Sequence, residues 1–71
     1  MKLTKEQAIL VYEQCQISIK SLNMNLLNIY NSIDDESIKN DIRLQYAHSM
    51  ANLIDVLEKY VYLDYPELRP Y

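Results

Sequence analysis

The sequence predicts an all-α protein, a long antiparallel two-helix hairpin over residues about 4–32 and 35–63 with a short Tyr/Pro tail over 62–71. Three observations carry this. Glycine is absent and the two prolines stand at positions 66 and 70, so no helix breaker occurs in the first 65 residues. Apolar residues recur at alternating steps of four and three, through Ala8, Tyr12, Cys15, Ile19, Leu22, Leu26, Ile29 and Ile33, the spacing of a helical packing seam. One cluster of turn formers, Asn31-Ser32-Ile33-Asp34-Asp35-Glu36-Ser37, divides the chain into two similar lengths.

The first helix starts at Thr4. A threonine followed three residues later by Gln7 is a capping box, and Leu3 and Ala8 flank it as a weak hydrophobic staple. About 28 helical residues span about 42 Å. Two features of this helix are unusual. Between Glu13 and Asp34 the only charged residue is Lys20, and Asn, Ser and Gln fill the other polar positions although Asn and Ser are mediocre helix formers. A second apolar row, Leu10, Ile17 and Met24, recurs every seven residues nearly opposite the seam, with Ile9 and Leu27 at its edge. One partner helix covers only one side, so this row is expected to face something else. The plainer reading is scattered exposed apolar residues, which are normal on any surface.

A turn this short forces the second helix antiparallel to the first. Asp34 or Asp35 caps it, with acidic residues at its positive end. Its expected core face is Ile38, Ile42, Tyr46, Met50, Leu53, Leu57 and Tyr60 or Val61, flanked by Ala47, Ala51 and Ile54. Asp41, His48, Asn52, Asp55, Glu58 and Lys59 form the polar arc, with Asp55 and Lys59 spaced for an i,i+4 pair. Pro66 disfavours helix at Tyr65 and is itself a good first residue for one short turn. The tail from Tyr62 to Tyr71 is expected to lie ordered beside the start of the first helix.

Seventy-one residues make one domain, 1–71, and a chain of this size is marginal unless disulfides, a metal, very good packing or association supports it. Cys15 is the only cysteine, and no zinc-type ligand cluster stands near it. Association remains, and the second apolar row makes a homodimer forming a four-helix bundle the expected assembly. A free cysteine on an apolar face suits a reducing compartment. No apolar run of signal-peptide or membrane-spanning length occurs, so a cytoplasmic location with no membrane partner is expected.

The residues for chemistry are few. Cys15 reads as a buried structural thiol rather than a nucleophile, because no base accompanies it. His48 reads as solvated, since a di-iron Glu-x-x-His pattern needs glutamate where Gln45 stands. Asp34, Asp35 and Glu36 lack the alternating ligands and glycine of a calcium loop. No catalytic residue, cofactor or metal site is assigned, and the chain is not expected to be an enzyme.

Seven tyrosines stand in a chain with no Phe and no Trp. Tyrosine suits boundaries and interfaces, because its hydroxyl must stay wet or bonded. Tyr60, Tyr62, Tyr65 and Tyr71 crowd the C-terminus, either to seal the hairpin or to meet a partner. The expected function is therefore that of a small non-enzymatic protein-interaction module: an adaptor, inhibitor, immunity-type or chaperone-like protein whose partner the sequence does not name. The candidate interface is Leu10, Ile17, Met24 and Leu27 with the neighbouring uncharged Ser21 and Asn28, plus Tyr62 and Tyr65. Interface cores are depleted in charge, as this side of the first helix is.

In size and long-hairpin layout the chain is similar to the dimeric RNA-binding Rop proteins. The likeness is one of architecture, without a shared motif, and it implies an alternative role as a nucleic-acid-binding regulator. The formal net charge of −3 and seven scattered basic residues weigh against that alternative.

Overall fold

The computed structural model describes residues 2–70. Helix α1 runs Lys5–Ser32 and helix α2 runs Glu36–Leu57. A single π turn over Glu58–Tyr62 continues α2, and a 3₁₀ turn over Pro66–Leu68 ends the chain's regular structure. No strand occurs among the described residues.

Each helix starts where its capping chemistry dictates. The Gln7 amide donates to Thr4 Oγ1 at 3.2 Å while the Thr4 amide donates to Gln7 Oε1 at 2.9 Å, so two donors that α1 cannot satisfy internally are paired. At α2 the Ile38 amide donates to Asp35 Oδ1 at 3.1 Å. Between the helices only Ile33, Asp34 and Asp35 lie outside helix, and the Ile33 amide closes the last turn of α1 on the Ile29 carbonyl.

The seam of α1 is where its spacing places it. Ala8 and Cys15 are buried, and Tyr12, Ile19, Leu22, Leu26, Ile29 and Ile33 are half-buried. Across from it, Ile42, Tyr46, Met50 and Leu53 are half-buried and Leu57 and Val61 are buried. Ile38 departs from expectation and is 49% exposed. Three consecutive steps of four link Ile38, Ile42, Tyr46 and Met50, and each step of four advances about 40° around a 3.6-residue helix. By Ile38 the row has left the seam. Lys39 occupies the place instead, half-buried, its Nζ 5.4 Å from the Tyr30 ring centre and 3.6 Å from Glu36 Oε1. At the other end of α2, Val61 is inside and Tyr60 is exposed.

The fully packed core lies at the open end of the hairpin, away from the turn. It consists of Ala8, Cys15, Leu57, Val61 and Tyr62, with Leu3, Val11, Tyr12, Ile19, Leu53, Val56, Tyr65 and Leu68 packed against it. The π turn makes this arrangement possible. Its i→i+5 bonding fits one extra residue into the turn, so Leu57, Val61 and Tyr62 all face inward. The Tyr12 and Tyr62 rings meet edge to face at 6.3 Å between centroids. Burial pushes the Cys15 thiol up from its ordinary value.

The tail is docked across this end. The Tyr65 amide donates to the Val61 carbonyl at 2.8 Å, and the Tyr65 hydroxyl donates to the Leu3 carbonyl at 2.7 Å. Lys5 pairs with Glu67 at 3.4 Å. Arg69 bonds Glu58 and lies 4.6 Å over the Tyr62 ring. A backbone hydrogen bond at Glu67, with Lys5 beside it, holds the Glu67 carboxyl below its usual range. The ion pairs among the described residues therefore join Lys5–Glu67, Glu36–Lys39 and Glu58–Arg69, and the expected Asp55–Lys59 pair is not among them. Leu63 remains outside, 76% exposed. Tyr71 lies outside the described residues.

Candidate interaction surface

The outer side of α1 carries the second apolar row in the open. Leu10, Ile17, Met24 and Leu27 are each between 54% and 58% exposed. Their seven-residue spacing keeps Leu10, Ile17 and Met24 on one line along the helix, with Leu27 at its edge. Ser21 and Asn28 are exposed alongside. Glu13 and Lys20, also exposed and seven apart, flank the row on its other side.

Beside Ile17 the surface dips into an open groove of about 490 Å3 between the two helices, floored by Leu22 and Leu53 and walled by Ser18, Ser21, Ser49 and Asn52. The groove exists because its walls are short. Ser49 turns its hydroxyl back to the Gln45 carbonyl at 3.2 Å, which satisfies it within its own helix. The α2 half of this groove was not foreseen from the sequence. Its signal was the same low charge that marks α1, continued across the hairpin at Gln45, Ser49 and Asn52.

The two tyrosines fall elsewhere. Tyr62 is 9% exposed and belongs to the chain's own core, so its ring is not part of an open surface. Tyr65 is half-buried, and its hydroxyl is engaged by Leu3. Both seal the open end of the hairpin. A separate set of exposed apolar residues, Leu44 and Ile54, lies on α2.

His48 stands exposed on α2, and Cys15 is buried against the seam. Among the described residues no group of three or more His, Cys, Asp or Glu comes together in a way that would hold a metal ion. No helix among them is long and apolar enough to cross a membrane. Comparison with protein-family models, curated proteins and solved structures finds no match for this chain.

Proposed function

We propose that this chain is a small non-enzymatic protein-interaction module, of the adaptor, inhibitor, immunity-type or chaperone-like kind, acting as a cytoplasmic homodimer. One observation carries the reading: the single chain has too much surface. It exposes 5381 Å2. A folded monomer of this mass exposes about 4,600 Å2, an excess of about 800 Å2 here, and each partner in a standard interface contributes about 800 Å2.

Shape agrees with area. The radius of gyration is 15.0 Å, against about 11 Å for a compact 71-residue domain and about 14–15 Å for a compact unit of twice that length. With extents of 46 × 21 × 16 Å, side-by-side pairing of two hairpins through their α1 helices broadens the molecule across its helices and leaves the length unchanged. Four helices side by side, with the two α1 helices inside, are the arrangement that does this. Three of the seven basic residues, Lys5, Lys39 and Arg69, are paired with carboxylates, which favours a protein partner over a nucleic-acid backbone.

Light scattering across a concentration series tests the dimer. A dimer is expected at micromolar concentration, and a folded monomer there would overturn it. The interaction role is tested with the double variant Ser21→Glu/Asn28→Lys, read for oligomeric state and for proteins recovered from the native host by mass spectrometry. Loss of either property is expected. Survival of both makes this side ordinary solvated surface. A salt-dependent mobility shift with RNA would instead assign the chain to nucleic-acid regulation.

A further inference from the structure

We infer that the second copy docks along the outer face of α1 in the reverse direction, about a two-fold axis running between the two α1 helices at the level of Ile17. The inference rests on the homodimer reading above and specifies its contact.

The position of the row fixes the axis. Leu10 and Met24 lie equally far from Ile17 on one line along α1, which runs Lys5–Ser32. A two-fold axis at Ile17 brings Leu10 of one copy opposite Met24 of the other, twice, and Ile17 opposite Ile17, with about three residues of overhang at each end of α1. An isologous contact requires such self-complementarity, in which residue i meets j and j meets i. The same operation places the two Ile17 side chains together at the rims of the grooves that each of them lines.

The sparse charge of α1 decides the direction. In a parallel pairing Glu13 would face Glu13 and Lys20 would face Lys20, and like charges placed opposite each other are destabilising. In the reverse direction about Ile17, each Glu13 comes within about one residue of the level of Lys20 of the other copy, while the two Lys20 side chains stand about six residues apart. Between Glu13 and Asp34, Lys20 is the only charged residue of the sequence, so this complementarity is the main electrostatic signal that the face contains.

Cysteine cross-linking tests the geometry. In a Cys15→Ala background, Leu10→Cys and Met24→Cys chains are mixed and oxidised, with folding checked by circular dichroism. A disulfide between unlike chains is expected, with little between like chains. Within one chain these positions lie about 21 Å apart along a helix, too far for a bond. A Leu10→Cys chain that cross-links to itself would overturn the direction while leaving the homodimer intact. A dimer that cross-links in no combination would overturn the face, and a monomer would overturn the homodimer reading itself.

A second measurement leaves the apolar row untouched. Glu13→Lys should weaken the dimer at low salt by about three- to thirtyfold, because two symmetry-related exposed pairs become repulsive, and Lys20→Glu added to it should restore most of the loss. Absence of restoration would overturn the antiparallel contact.

Discussion

Leu57 and Leu26 occupy equivalent places in the seam pattern but not in the folded chain. Leu57 is 3% exposed, whereas Leu26 is only half-buried in the single hairpin. The cost of truncating a leucine follows the packing around it rather than its place in a repeat. Leu57→Ala is therefore expected to lose about 2–5 kcal/mol. Leu26→Ala is expected to fall at or below about 2 kcal/mol, because fewer neighbours surround the cavity it leaves. Urea unfolding of the two variants under one set of conditions checks this, and equal losses would mean that Leu26 is covered by something outside its own chain. The sequence identified both as seam residues and expected both to be buried. Periodicity reports which side of a helix a residue faces, but it carries no information on how closely the opposite element approaches there.

At the scale of elements, the two helices and their three-residue link were legible because capping chemistry and breaker placement act locally, at Thr4, Gln7 and Asp35. The π turn was not read, although its trace is present. Leu53, Leu57, Val61 and Tyr65 follow one another in steps of four, and the core position near the helix end was ambiguous between Tyr60 and Val61. Repeated steps of four overrun a straight α-helical seam. At Ile38 the row simply drifts out, whereas at Val61 the backbone widens to keep it in. The candidate surface was legible in its α1 half for the same reason as the seam. Tyr62 was misplaced because a tyrosine near a chain end reads alike as a seal and as a contact. A π turn is an α turn with one residue too many. Deleting the exposed Lys59 is thus expected to leave Val61 and Tyr62 three and four residues after Leu57, still on the core face, and to preserve the fold. Deleting the equally exposed Ser49 rotates everything beyond it by about 100° and is expected to abolish cooperative unfolding. Thermal melts of the two deletions give the comparison, and a folded Ser49 deletion would show that the seam tolerates slippage.

For the molecule as a whole, burial is lopsided. The buried residues, Ala8, Cys15, Leu57, Val61 and Tyr62, all lie toward the ends of the chain, and the turn is bordered by half-buried and exposed side chains. Resistance to local opening follows buried contacts. Native-state amide exchange is expected to be slowest around Cys15 and Leu57 and to quicken toward Asn31 and Lys39, the reverse of a hairpin held at its turn. Uniform protection along both helices would show that the turn-proximal half is held equally well, by a second chain or otherwise.

The Tyr65–Leu3 hydrogen bond joins residues 62 apart in sequence. A chain that closes from its turn gains little until its ends arrive, and one that joins its ends first must close a loop of about fifty residues, whose entropic cost grows with the logarithm of its length. Folding is therefore expected to wait on closure of this loop rather than on formation of the helices themselves. The tail bond requires both helix ends to be in place already, so it forms after the barrier. A contact absent from the transition state governs only the rate of escape from the native state. On this account the tail contacts of Tyr65, Glu67 and Arg69 set how long a folded chain lives, not how fast it forms.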